Sequence, residues 1–255
     1  MEIGLQTFTI RKLMRTPEAL NQTFSWLAEQ GLRNLELAVD YLAFPFNVDT
    51  AKLIRQAADE HKLRVRSCQI KYATSAKDPP ITAAFMQELG AGILVNSTVD
   101  LKLLHKGEAG LLRYCEMLNE LSEQLAEAGI TLAHHNHHYE FLRVGEQSAL
   151  HFMAAHTGIA FALDTYWCAK GGANVLTLLE ELRGRVPILH LRDFALTRMG
   201  LVTGGRDCEI GRGNIPFKAI IQRANDTGVR YGMIEQNTKT PLESVGISLL
   251  SLQGR

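Results

Sequence analysis

The stretch LLRYCEMLNELSEQLAEAGITLAHH, residues 111–135, holds a helix and a strand in immediate succession. Leu112, Cys115, Leu118, Leu121 and Leu125 recur at three- and four-residue intervals, which predicts a helix from about Leu111 to Ala128 with one apolar stripe. Gly129 supplies the stop, because glycine readily takes the left-handed conformation that closes helices. Ile130 to His135 then begins at once as a short β-branched and apolar run, the length and composition of a strand.

The same unit recurs along the chain. Runs at Ile3 to Phe8, Asn34 to Ala38, Arg64 to Gln69, Gly92 to Asn96, Ile130 to His135, Ile159 to Asp164, Ile188 to Arg192 and Tyr231 to Gln236 are each followed by a longer segment of helical periodicity. Dividing 255 residues by eight gives about 32 per unit, enough for one strand, one helix and two loops. The expectation is one (β/α)8 TIM barrel filling residues 1–255 as a single domain. Helix starts support it. Thr16-Pro17-Glu18 offers a cap, a proline at the first helical position and a first-turn acid, and Asp49-Thr50 is expected to open a helix from Ala51 to His61.

Composition narrows the function. Twenty-seven Lys and Arg balance 27 Asp and Glu, which removes the attraction that nucleic acid or an anionic membrane exerts on a basic protein. No apolar run approaches the roughly 20 residues of a membrane span, and no signal peptide is read at the start, so a cytoplasmic protein without nucleic-acid or membrane partners is expected. Cys68, Cys115, Cys168 and Cys208 are scattered without a C-x-x-C pair and read as buried hydrophobes. The longest stretches without periodicity, Lys71 to Pro80 and Phe194 to Asn214, follow strands and read as functional loops. In the second, Gly200, Gly204, Gly205, Gly211 and Gly213 would permit mobility. Gly211-Arg212-Gly213 lacks the third glycine of a dinucleotide loop and follows no strand directly, so no nucleotide role is assigned.

Polar residues crowd the ends of four consecutive strands: His134-His135-Asn136-His137-His138-Tyr139-Glu140, then Asp164-Thr165-Tyr166-Trp167, then His190-Leu191-Arg192-Asp193, then Glu235-Gln236-Asn237. A barrel interior is normally aliphatic, and an unpaired carboxylate or imidazole there is costly. A bound cation would remove that cost. Carboxylates with imidazoles and no sulfur suit one divalent ion of the manganese, magnesium, cobalt and zinc group. Singly, His190 could be a core histidine, Asp164 a helix cap and Glu235 a partner of Arg192 or Lys239. The joint pattern at matching strand ends favours the metal. Strand alternation sends His135 and His137 to one face and His134 and His138 to the other, where they would pack against helices.

In order along the chain, Ile3-Gly4-Leu5-Gln6-Thr7-Phe8, Leu35-Glu36-Leu37-Ala38, His135-Asn136-His137-His138-Tyr139-Glu140-Phe141, Asp164-Thr165-Tyr166-Trp167, His190-Leu191-Arg192-Asp193, Gly211-Arg212-Gly213 and Ile234-Glu235-Gln236 resemble the xylose isomerase-like TIM barrels, the sugar phosphate isomerase and epimerase superfamily. The resemblance implies metal ligands at Asp164, His190 and Glu235. Many members read Glu-Asn-His where this chain has His135-Asn136-His137, so either His135 takes the remaining ligand position or Glu140 folds back to supply a carboxylate. The second is favoured, with His135 and His137 facing substrate. It also implies a small sugar substrate, self-association, and proton transfer by Glu140 and Glu235 in isomerising or epimerising a keto-sugar or related polyhydroxy ketone through an enolate. Arg192 would bind hydroxyls or the developing enolate oxygen, since a guanidinium is no proton-transfer base, and Trp167 would wall the apolar face of the sugar. Dehydration of a keto-sugar or inosose through the same enolate is the alternative reading. The superfamily's endonuclease branch needs a histidine-rich trinuclear site and a basic face, neither of which is read here.

Overall fold

A computed structural model describes residues 1–199 and 202–254. All eight sequence runs are strands: β1 (Glu2–Gln6), β2 (Asn34–Ala38), β3 (Arg64–Ile70), β4 (Ile93–Asn96), β5 (Thr131–His135), β6 (Ala160–Asp164), β7 (Ile188–Leu191) and β8 (Tyr231–Ile234). They are parallel, lie in chain order and close where β1 pairs with β8, Glu2 beside Tyr231 and Leu5 beside Ile234. The protein is a single-domain (β/α)8 TIM barrel.

Two packing layers follow from the period-two alternation of strand side chains. Leu132, Phe161, Leu163, Leu189, Leu191 and Ile234 belong to the larger apolar cluster with the helices, whereas Ile93, Val95, Ala133, Ala162, Ile188 and Met233 form a separate cluster. Two residues further along four of those strands stand His135, Asp164, His190 and Glu235, all buried. The pleat therefore carries the four onto the face that the smaller apolar cluster fills below them. Register aligns them too: Asp164 pairs with His190 between β6 and β7, and Glu235 N donates to Leu191 O at 3.2 Å past the end of β8.

The helices depart from expectation in small ways. The long helix spans Gly107–Ala126, and its buried stripe begins with Leu111 and Tyr114, while Leu112 is 42% exposed. Both leucines fit a helical interval to Cys115 or beyond, and the sequence alone does not say which faces the barrel. Thr16 caps Pro17–Glu29 as read, but the second helix is Val48–Glu60, capped by Asn47 rather than Asp49. All four cysteines are buried and free of disulfides.

The two stretches read as loops carry regular structure. Residues 71–80 hold a short helix, Tyr72–Ser75, and the start of Pro79–Leu89. Asp193–Met199 and Val202–Cys208 form an antiparallel hairpin rising from the end of β7. Two glycines of this stretch allow close approach: a side chain at Gly205 would strike the Phe194 ring, and one at Gly213 the Asp193 carboxylate. Gly200 lies outside the described residues. The Gly211-Arg212-Gly213 turn is an internal anion nest, in which the Asp193 carboxylate accepts from the backbone N–H of Phe194, Gly211, Gly213 and Ile215 at 2.8 to 3.2 Å.

Candidate active site

At the C-terminal mouth of the barrel, where folds of this class place their chemistry, ligand atoms from His135, Asp164 and His190 all lie within 4.8 Å of one another. Glu235 adjoins them, its Oε2 3.0 Å from His190 Nδ1. His135 Nδ1, Asp164 Oδ2, His190 Nδ1 and Glu235 Oε2 are buried and have no well-formed hydrogen bond. Buried polar atoms are seldom left so. Four such atoms, two nitrogens and two carboxylate oxygens, converge from four successive strands. A divalent cation would satisfy all four, so the donor set fits such an ion.

Electrostatics agrees. Asp164, Asp207 and Glu235 place three carboxylates around one fixed cation, Arg192, and a fourth carboxylate, Glu36, lies against His190. The guanidinium reaches Asp207 Oδ2 at 2.6 Å, Glu235 Oε1 at 3.1 Å and Asp164 Oδ2 at 3.5 Å. Burial pushes the Asp164 carboxyl up to about 7 against the pull of Arg192. Burial acts the same way on Glu235, but Arg192 and His190 outweigh it and draw that carboxyl down to about 2. In His190 burial opposes the charged ring, yet Glu36 and Glu235 raise its pKa well above the usual value. His135 and His137 go the other way: burial lowers both, His137 to about 4, so both rings are neutral at pH 7.

Each sequence-read residue now has a place. Asp164 ends β6 and caps the helix Thr165–Lys170, its Oδ1 accepting from Trp167 N at 2.8 Å while Oδ2 faces the cluster. The cap and ligand readings are thus compatible, one oxygen for each. Trp167, His135, His137, Arg192 and Glu235 line a cavity of about 320 Å³, with Phe8, Tyr41, Tyr139 and Lys71 on its wall. His137 stacks on Tyr139 at 5.0 Å between ring centres and tilts against Trp167 at 4.9 Å. His138 also stacks on Trp167, at 5.3 Å, and is exposed instead of packing against helices, because β5 ends at His135 and strand alternation stops there.

Glu140 is not brought to the cluster. The short 3-10 turn Tyr139–Phe141 folds it back on β5, where Oε1 meets His134 Nε2 at 3.1 Å and Oε2 accepts from His137 N at 2.8 Å. His134 is held in turn by Asn96, which also bonds Tyr114. Both oxygens of Glu140 are spent on this buried network, and Glu140 does not line the cavity. The position at the end of β5 that faces Asp164 and His190 is His135.

Two residues were missed. Glu36 Oε1 lies 2.6 Å from His190 Nε2 behind the cluster. Glu36 was visible in the sequence as a carboxylate inside an otherwise apolar strand, the same anomaly that marked Asp164 and Glu235. Asp207, on the hairpin, holds Arg192 and accepts from Asn237 N at 3.0 Å. Nothing local in the sequence points to it.

The profile of the xylose isomerase-like TIM barrels matches residues 24–245. No sequence among curated proteins matches the chain. Solved structures match its fold over nearly its full length. A sugar phosphate isomerase/epimerase from Parabacteroides distasonis is 22% identical, with TM-score 0.79, over 99% of this chain and 93% of that one. A 3-keto-D-glucoside 4-epimerase from E. coli is 15% identical, with TM-score 0.71, over the whole of both chains. A probable 3-DHS dehydratase of Bacillus anthracis, involved in petrobactin synthesis, is 12% identical, with TM-score 0.75, again over both entire chains. Among the described residues, no helix is long and apolar enough to cross a membrane.

Proposed function

The chain belongs to the family of xylose isomerase-like TIM barrels, and from that premise we propose that it isomerises or epimerises a small keto-sugar or related polyhydroxy ketone with the aid of one divalent metal ion. The observation that carries the reading is the convergence of four buried ligand atoms without a well-formed hydrogen bond, from His135, Asp164, His190 and Glu235, at the foot of an aromatic-lined cavity that His135 and Glu235 reach. These four would hold the ion, with His135 in the place first given to Glu140. When bound, a divalent ion supplies Lewis acidity that polarises the substrate carbonyl and acidifies the adjacent C–H.

The protein's own groups do the rest. Glu235 has one oxygen on Arg192 and one toward His190, so it is ionised and placed to take a proton from the carbon beside the carbonyl. His137, neutral at pH 7 and on the cavity wall, faces the sugar with a ring nitrogen free to donate or accept. Arg192 is held by three carboxylates and supplies fixed positive charge at the edge of the cavity, where negative charge grows on the enolate oxygen. Trp167 and Tyr139 present flat apolar faces suited to the C–H face of a sugar ring.

The test is a screen of keto-sugars, inososes and hydroxypyruvate with chelator-treated protein, with and without added Mn²⁺. Metal-dependent formation of an isomer or epimer is the expected result. A product that has lost water would instead establish the dehydratase reading, and turnover equal in chelator and in Mn²⁺ would remove the metal from the account.

A further inference from the structure

Glu36 does not reach the cavity, and its side chain is fully buried in β2, a strand buried at all five positions. Its two oxygens face two different groups. Ser67 Oγ donates to Oε2 at 2.6 Å. Oε1 lies 2.6 Å from His190 Nε2, and the opposite ring nitrogen, Nδ1, faces Glu235 Oε2 at 3.0 Å. The strand pairing is irregular at this point: Leu35 pairs with Val65, but Glu36 pairs with Ser67, so Arg66 is skipped. A one-residue slip turns side chains to the other face of a sheet. The skip therefore lets Ser67 face Glu36 while Arg66 bonds Asn34 Oδ1 at 2.7 Å.

Resting on the metal reading above, we propose that Glu36 is a positioning residue that sets which nitrogen of His190 is offered to the ion. A carboxylate oxygen accepts hydrogen bonds, and an imidazole that gives one nitrogen to an ion keeps its proton on the other. Neither Nε2 nor Oε1 has a well-formed hydrogen bond to any other described group, and at 2.6 Å Oε1 is in reach of a proton on Nε2. Nδ1 then keeps its lone pair on the side of Glu235 Oε2, 3.0 Å away. Ser67 fixes the carboxylate from behind. In Glu36→Gln the amide group can donate to Nε2, which moves the ring proton to Nδ1 and blocks the ligand atom.

The experiment titrates chelator-treated wild type, Glu36→Gln and Ser67→Ala with Co²⁺, reading Kd by calorimetry and ligand geometry by visible absorption, with melting of the metal-free proteins alongside. Glu36→Gln should weaken Co²⁺ binding by about 10- to 100-fold and alter the absorption band, read at a temperature where melting shows the metal-free variant still folded. Ser67→Ala, which keeps the carboxylate, should cost about threefold in Kd. A Glu36→Gln protein with wild-type Kd and spectrum overturns the proposal. If that variant fails to fold, a wild-type Kd in Ser67→Ala overturns it instead. Absence of Co²⁺ binding by the wild type would overturn the metal reading itself, and this proposal with it.

Discussion

Asp164→Asn removes a buried charge while keeping Oδ1 as acceptor for Trp167 N, so the helix cap survives. In the folded, metal-free protein the Asp164 carboxyl holds its proton up to about pH 7, against 3.8 for an ordinary aspartate. The folded state thus binds more protons than the unfolded chain across that window, and stability falls as pH rises through it. At ~1.4 kcal/mol per pH unit the penalty is on the order of 4 kcal/mol at pH 8 and on the order of 2 kcal/mol at pH 5. Urea unfolding in EDTA should therefore find Asp164→Asn more stable than wild type, with the larger gap at pH 8. Added metal should narrow that gap. At a free concentration of 100 times Kd the wild type gains about 2.7 kcal/mol, whereas the variant, lacking one ligand, gains little. A variant no more stable than wild type in EDTA at pH 8, or one that gains equally from metal, would refute the reasoning.

Further outcomes follow from the same contacts. His135→Ala should bind Mn²⁺ weakly or not at all by calorimetry, while Glu140→Ala should keep the ion and lose about 1 to 3 kcal/mol of stability from stranding His134 and His137 N. Metal affinity should rise with pH through about 7, because Asp164 must lose its proton to bind; a flat affinity from pH 6 to 8 would count against Asp164 as a ligand. Asp193→Ala empties the nest of Gly211, Gly213 and Ile215 and should lower the melting temperature by several degrees, with metal affinity preserved in the folded fraction.

The barrel was legible because each strand is short, apolar and bounded, and because period-two alternation ties residues two apart to one face. That rule carries the apolar inner layer through Ala162 to Asp164 and from Ile188 to His190. It fails where the strand stops: Glu140 lies past the end of β5, and a 3-10 turn, invisible in the hydrophobic pattern, decides that it folds onto His134. The Phe194 to Asn214 stretch hid a hairpin because its glycines look like flexibility, whereas those at 205 and 213 make room for Phe194 and Asp193. Asp207 reaches Arg192 only through that hairpin. Glu36 is legible as a carboxylate inside an apolar strand, but its meeting with His190 depends on the closure of the barrel, which strand composition does not encode.

Proton transfer by Glu235 is the central claim, and deuterium incorporation tests it directly. Wild type and Glu235→Gln are incubated in deuterated water with Mn²⁺ and the keto-sugar that the screen identifies, and the product is examined by NMR at the carbon beside the carbonyl. Wild type should place deuterium there, and the Gln variant, of nearly the same volume, should exchange about 10² to 10⁴ times more slowly. Exchange at the wild-type rate by a folded, metal-loaded Glu235→Gln protein would contradict the account and leave Glu235 a ligand only.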